Sequence, residues 1–169
     1  MTYSLFIATI PIEIFTIITG EAMICFNSKS VSQTEEFASK IAKHLKSGNV
    51  VAFFGSLGMG KTAFTRGLAK GLGNKSDVSS PTFAIVNDYS GDPPFVHFDM
   101  YKVESWEDLY SCGFFDYLDM GAILAVEWSE NIENALPEDT IRVTIKKGES
   151  ENERTITIEG LDINEDFSS

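Results

Sequence analysis

The sequence predicts an α/β fold, a three-layer sandwich with a mainly parallel sheet and a C-terminal antiparallel hairpin. Three observations carry this. Short apolar runs alternate along the chain with amphipathic helical segments. A glycine-rich loop joins one of those runs directly to a helix. Near the C-terminus, "TIRVTIKK" and "RTITIEG" flank the polar turn "GESENE", the pattern of two strands folded back on each other.

The elements follow in order. The opening stretch "MTYSLFIATIPIEIFTIITGEA" is apolar, but Pro11 and Glu13 interrupt it and no Lys or Arg precedes it. A signal peptide starts positive, and a membrane span needs about 20 apolar residues without interruption. Residues 1–22 therefore read as a leader outside the domain, with Met23 as an alternative start. The domain is assigned to residues 23–160 and an acidic tail to 161–169. "SVSQTEEFASKIAKHLKSGN" predicts a helix. Ser32 and Glu35 have capping-box spacing, Phe37, Ile41 and Leu45 recur every four residues, and Gly48 follows the end. "NVVAFFG" suits a strand buried on both faces, and "KTAFTRGLAKGLG" suits a helix ending at glycines. Pro81 opens an extended segment, "TFAIVNDY", which "GDPP" turns. "FVHFDMY" then alternates, with Val96, Phe98 and Met100 on one face and Phe95, His97, Asp99 and Tyr101 on the other. "SWEDLYSCG" reads as a helix capped by Ser105 with Asp108 three residues on, and "AILAVEW" as a buried strand ending at Glu127 and Trp128. With no internal repeat or linker, 169 residues make one domain.

Composition narrows the function. The chain is 43% hydrophobic and 22% charged, an ordinary globular balance. Its net charge is −12, and the last 21 residues, with seven acids against Arg154 alone, hold half of it. A protein this acidic lacks the basic footprint of a direct nucleic-acid binder. Around the glycine-rich loop and its helix, positive charge clusters at Lys61, Arg66, Lys70 and Lys75, so an RNA partner is expected to be reached through another protein. Cys25 and Cys112 are isolated, without metal-ligand spacing, and read as buried free thiols rather than a disulfide framework. The expected location is the cytoplasm, with no membrane association.

The sharpest motif is "GSLGMGKT", Gly55 to Thr62, which matches G-x-x-x-x-G-K-[ST] in the required context of strand before and helix after. Gly58 and Gly60 let the backbone turn its N–H groups inward around a phosphate. Lys61 sets a point charge against the β/γ oxygens, and the Thr62 hydroxyl is a Mg²⁺ ligand of the expected kind. The sandwich is thus of P-loop NTPase type, with ATP and Mg²⁺ as its expected ligands. Glu127, at a strand end, faces the ligand crevice of such a sheet, where a second acid meets the Mg²⁺ sphere, often through water; the bland alternative is a solvated strand end. Asp99 follows the same argument, as a second metal-side acid or a water-positioning group. Lys61, Asp99 and Glu127 form the candidate catalytic set, and Thr62, Glu127 and Asp99 the candidate metal set. His97 is left outside it, as a hydrogen-bonded structural histidine. Trp128 is open between packing and a partner-facing anchor. Thr82, in "SSPTF", is either a γ-phosphate sensor or part of an ordinary turn into a strand.

Two apparent guanine signatures are loops. "NKSD" begins 13 residues beyond Lys61, which places Asn74 about 20 Å away at the far end of the intervening helix. "DYSG" follows it, in the reverse of the usual order. The arginine count bears on mechanism. Only Arg66, Arg142 and Arg154 occur, and none lies in an obvious lid. A supplied arginine is worth about a thousandfold or more in phosphoryl transfer, so the protein alone should be a slow ATPase.

At this point four blocks resemble a known family. "FFGSLGMGKTAFTRGLAKGLG", "VSSPTFAIVNDY", "HFDMYKV" and "AVEWSENIENALP" follow one another in the order and spacing of the TsaE (YjeE-like) proteins, small bacterial P-loop ATPases needed to form threonylcarbamoyladenosine on tRNA. The likeness covers about Val31 to Gly160. It implies nucleotide contacts by Gly58, Met59, Gly60, Lys61, Thr62 and Ala63. It also implies Mg²⁺ ligation by Thr62 and Glu127, with Asp99 as an essential acid nearby. "SPTF" resembles the family's switch segment, and the segment around Thr34 borders the adenine. Partners implied are a TsaD-like transferase and a TsaB-like subunit, with tRNA bound only indirectly and ATP turnover resetting the complex. Ser56 stands where the family often has Asp, and Lys102 where an Arg usually follows "DMY". A Lys does not reproduce a bidentate guanidinium contact. The alternatives are a small-molecule or nucleoside kinase, which should need more arginines, and a nucleotide-gated binding module.

Overall fold

The computed structural model describes residues 2–7, 10–16, 22–81, 84–89 and 91–161. In chain order the strands and α-helices are β1 (Thr2–Ile7), β2 (Ile10–Thr16), β3 (Ala22–Ser28), α1 (Val31–Ile41), β4 (Val50–Phe54), α2 (Lys61–Gly71), β5 (Val86–Tyr89) and β6 (Phe95–Asp99). They continue with α3 (Trp106–Ser111), α4 (Phe114–Asp119), β7 (Ile123–Glu127), β8 (Ile141–Lys147) and β9 (Arg154–Glu159). Among the described residues the strands form one nine-stranded sheet in the order β1-β2-β3-β9-β8-β4-β7-β6-β5.

The centre of the sheet is parallel. β4 pairs in parallel with both β8 and β7, and β7 with β6. All five residues of β6 and of β7 are buried, which is why these segments read as unbroken apolar runs. Antiparallel strands extend the centre on both sides: β5 on β6, and β9, β3, β2 and β1 in turn beyond β8. The parallel character is thus confined to four strands, three of which, β4, β6 and β7, carry the candidate site. The C-terminal hairpin is β8 and β9, inserted into the sheet interior rather than closing its edge. The stretch read as a leader contributes β1 and β2, which continue the sheet beyond β3.

Each face of the sheet has its own core, as a three-layer sandwich requires. On one face Phe37 of α1 and Phe64 and Leu68 of α2 pack with Phe53 and the β8–β9 isoleucines. A chain of rings runs through it: Phe26 stacks on Phe37 at 4.3 Å, Phe37 meets Phe64 edge-on at 6.1 Å, and Phe64 meets Phe53 at 5.5 Å. Each such pair adds about 0.5–1.5 kcal/mol beyond burial. On the other face Val96, Phe98 and Met100 join Leu109 of α3 and Phe114 of α4. This is the alternation expected of "FVHFDMY".

Local details refine the sequence reading. α1 starts at Val31, and its N-cap is Ser30 rather than Ser32: Ser30 Oγ accepts from Gln33 N–H at 3.2 Å and Gln33 Oε1 accepts from Lys29 N–H at 2.8 Å. Glu35, read as a capping partner, is instead bonded to Arg66 of α2. α1 also stops at Ile41 and tightens into a 3₁₀ turn, well before Gly48. The capping box on α3 is present as expected. Cys25 and Cys112 are free thiols but half-buried rather than buried, and burial pushes the Cys112 thiol up from its ordinary value. Asn74 follows the end of α2, and residues 162–169 of the acidic tail lie outside the described residues.

α2 lies against α1 at backbone-contact distance, through Gly67 and Gly71 facing Ala38 and Ala42. A Cβ added to Gly67 would stand 2.4 Å from Glu35 O, and one added to Gly71 2.3 Å from Ser39 O. Gly67→Ala should therefore destabilise the fold by about 2 kcal/mol, because the overpacking outweighs the roughly 1 kcal/mol gain in helix propensity. Urea unfolding measures it, and an unchanged or raised midpoint would contradict the close helix contact.

Candidate active site

Because β4, β6 and β7 run in the same direction, their C-terminal ends meet on one edge of the sheet. β4 runs into the Gly55–Gly60 loop, β6 ends on Asp99 and β7 ends on Glu127. Asp99 and Glu127 are direct register partners. The loop needs its glycines: Gly58 has φ 77° and Gly60, which begins α2, has φ 102°, in the left-handed region. α2 then starts at Lys61, so its unpaired N–H groups and positive dipole end border the loop.

A cavity of about 650 Å³ opens at this edge, lined among others by Gly60, Lys61, Thr62, Ser80, Asp99 and Glu127. Thr62 Oγ1 donates to Glu127 Oε1 at 2.7 Å, joining the start of α2 to the end of β7. Lys61 is 4% exposed, and Nζ donates to Gly55 O at 2.6 Å and Ser56 O at 3.3 Å. Its ammonium also lies 4.4 Å from the centroid of the Trp128 ring. Asp99 is fixed from two sides, Oδ2 accepting from Ser80 Oγ at 2.9 Å and Oδ1 from Tyr101 N–H at 3.1 Å. Its own N–H donates to Ile85 O at 2.9 Å.

Two strained residues stand beside these acids. Trp128, directly after Glu127, has φ 58° and ψ 42°, a left-handed conformation that costs an L-residue about 1–2 kcal/mol. That turn sets its ring against Lys61 and 5.0 Å from Tyr101. Ile85 has φ 70°, held by its N–H to Pro81 O and by its carbonyl to Asp99. Pro81 and Ser80 thus tie "SSP" to Asp99, while Thr82 lies outside the described residues.

Of the residues singled out from sequence, Gly58, Met59, Gly60, Lys61, Thr62, Ala63, Asp99 and Glu127 all line this cavity. Thr34 does not. It lines a neighbouring hollow of about 250 Å³ that shares Gly58, Met59, Gly60 and Ala63 with it. The Thr34 hydroxyl is taken up by Ser28 Oγ at 2.8 Å and Ser30 O at 3.3 Å.

The sequence of the TsaE family, described as threonylcarbamoyl adenosine biosynthesis protein TsaE, matches residues 28–156. The chain belongs to the TsaE family. Its relatives include the tRNA threonylcarbamoyladenosine biosynthesis protein TsaE of Bacillus subtilis, 40% identical over 131 residues, covering 76% of this chain and 81% of the relative. The protein of that name from Streptomyces coelicolor is 39% identical, covering 75% and 89%. The one from Treponema pallidum is 33% identical, covering 70% and 88%. Among solved structures, Bacillus subtilis YdiB superposes with a TM-score of 0.68 at 31% identity, covering 84% of this chain and 88% of that one. The TsaE-type fold and a place in tRNA threonylcarbamoyladenosine biosynthesis follow from family membership.

In this TsaE-family chain two further residues stand at the site: His97, set aside from the sequence as a hydrogen-bonded structural histidine, and Arg154, which the sequence did not single out as a site residue. His97 is fully buried with Nε2 3.0 Å from Glu127 Oε1. Arg154, at the start of β9, donates through Nε to Met59 O at 3.1 Å, bracing the loop from the hairpin. Strand alternation had put His97 on the face of Asp99 without pairing it with Glu127, whereas Arg154 had no signal in spacing, since strand pairing alone brings it 95 residues back along the chain. Trp128 resolves into a cavity-lining residue packed on Lys61. Among the described residues no helix is long and apolar enough to cross a membrane.

Arg154→Leu should speed amide hydrogen exchange at residues 58–60 several-fold, with global unfolding within about 1 kcal/mol of wild type. Exchange unchanged at those amides would remove the bracing role.

Proposed function

We propose that this chain binds ATP with Mg²⁺ at the Gly55–Thr62 loop and hydrolyses it slowly. On this reading, the turnover is coupled to a TsaD-like transferase and a TsaB-like subunit in tRNA threonylcarbamoylation. The observation that carries it is the contact of Thr62 Oγ1 with Glu127 Oε1 at 2.7 Å, in a cavity also lined by Lys61 and Asp99. The donor set fits the metal: a hydroxyl and two carboxylates are hard oxygen ligands, and the loop amides and Lys61 face the phosphates. Thr62 keeps its lone pairs for a metal while its proton rests on Glu127. Bound Mg²⁺ supplies neutralisation of the charge that develops between the β- and γ-phosphates. Asp99, held by Ser80 and the Tyr101 amide, is positioned to orient the attacking water.

Hydrolysis forms a bond from water oxygen to the γ-phosphorus and breaks the bond to the bridging oxygen, leaving ADP and phosphate. The arginines explain why it should be slow. Arg66 lines the cavity but its Nε is bonded to Glu35, Arg142 pairs with Glu133, and Arg154 braces the loop. Each arginine thus has a protein partner of its own, and on this reading a transferase subunit supplies the missing stabilisation, worth about a thousandfold or more. The acidic balance of the chain supports leaving tRNA to the partners.

The test compares ATP turnover alone and with the transferase subunits, for wild type and for Lys61→Ala, Asp99→Ala and Glu127→Ala. Expected are slow turnover alone, faster turnover or stable association with the subunits, and a loss of about a hundredfold or more in each variant. The modified nucleoside should disappear with each variant in reconstituted modification. ADP release that requires a metabolite acceptor and no protein partner would establish a kinase instead.

A further inference from the structure

His97 lies in the middle of β6, on the face it shares with Phe95 and Asp99, opposite Ala125 of β7. It is fully buried. Its Nε2 is 3.0 Å from Glu127 Oε1, while its Nδ1 is buried with no hydrogen-bond partner among the described residues. Leaving a buried polar atom unsatisfied costs about 1–3 kcal/mol, a cost that an apolar residue at this position would not carry. The imidazole therefore spends one nitrogen entirely on the carboxylate and gains nothing from the other.

Glu127 Oε1 is the shared acceptor. It takes the Thr62 hydroxyl at 2.7 Å from α2 and the His97 ring from β6. A single donor leaves a carboxylate free to rotate about its last torsion and exchange its two oxygens. Two donors from different elements remove that freedom and define which oxygen remains for a ligand. Thr62 cannot hold the carboxylate alone, because its hydroxyl is itself a proposed metal ligand.

We propose that His97 is a positioning residue that fixes Glu127 by donating its Nε2–H to Oε1, leaving Oε2 for Mg²⁺. The inference rests on the magnesium reading given above and assigns the residue that orients its carboxylate. Loss of such an outer partner typically lowers metal affinity about 10- to 100-fold.

The test uses two amides that place a donor differently. Gln at this position carries its amide where Nε2 stands, and Asn carries it where Nδ1 stands. ADP binding is measured by isothermal titration on the full chain with Mg²⁺ and with a chelator. In wild type, Mg²⁺ should tighten binding. His97→Asn should lose about tenfold or more of that enhancement while binding metal-free ADP as wild type does, and His97→Gln should keep the enhancement within about threefold. Enhancement retained equally in both variants, or lost equally in both, would overturn the role of His97 alone. No enhancement in wild type would overturn the magnesium reading and this inference with it. Nitrogen-15 spectra of the wild-type imidazole give a readout that needs no variant: Nε2 should carry a proton shielded from exchange, and a bare Nε2 would sink the proposal.

Discussion

One hydrogen bond organises the site. Thr62 Oγ1 to Glu127 Oε1 links the first turn of α2 to the last residue of β7, two elements 65 residues apart. The link exists only because β4 and β7 run parallel in a register that ends both at the same edge. In an antiparallel pair, the residue following one strand and the last residue of the other would lie at opposite edges. The parallel centre of an otherwise antiparallel sheet is thus the part of the architecture on which the chemistry depends.

Rigid packing beneath this edge makes the contact durable. α2 cannot shift along α1, because Gly67 and Gly71 bring the two backbones together against Ala38 and Ala42. The ring sequence Phe26, Phe37, Phe64 and Phe53 then ties both helices to β3 and β4. Against this support the chain holds Trp128 and Ile85 in left-handed conformations next to the two acids. Strain of this kind persists only where the surroundings over-determine it. Here the buried strands on one side and the hydrogen bonds of Ile85 to Pro81 and Asp99 on the other do so.

How much of this was legible follows from the range of each interaction. The loop, its helix and the buried strands are local patterns of a few residues, so "GSLGMGKT", "NVVAFFG" and "AILAVEW" could be read directly, and Asp99 and Glu127 could be placed at strand ends. The rule that parallel strand ends face one crevice gave the expectation that those ends share one site, and the family likeness agreed with it. Helix starts were less legible: Ser30 and Ser32 are both acceptable caps, and the choice is made by Gln33 reaching back to Lys29 while Glu35 is drawn to Arg66 on another helix. His97 could be placed on the face of Asp99 but not paired with Glu127, and Arg154 was out of reach. Each matters through a partner on a different strand or loop, and nothing in spacing distinguishes His97 from a histidine packed for its volume.

The distribution of charge separates what the chain does itself from what it leaves to others. Lys61 lies at the Gly55–Thr62 loop and Arg66 and Lys70 on the α2 helix that it begins, while each of the three arginines has a protein partner: Arg66 with Glu35, Arg142 with Glu133, and Arg154 with the loop carbonyl of Met59. Arg66 lines the cavity, but Glu35 holds its Nε; an enzyme that had to finish phosphoryl transfer alone would keep such a guanidinium for the γ-phosphate. One that waits for a partner gains by leaving that position to the partner, since idle hydrolysis is then suppressed. The net charge of −12 repels a polyanion, whereas on the proposed reading a small triphosphate would be attracted by local amides, one ammonium and a helix end. On the proposed reading, slow hydrolysis in isolation and indirect contact with tRNA would both follow from one arrangement: loop amides, the Lys61 ammonium and a helix end gathered at the cavity of a chain whose net charge is −12.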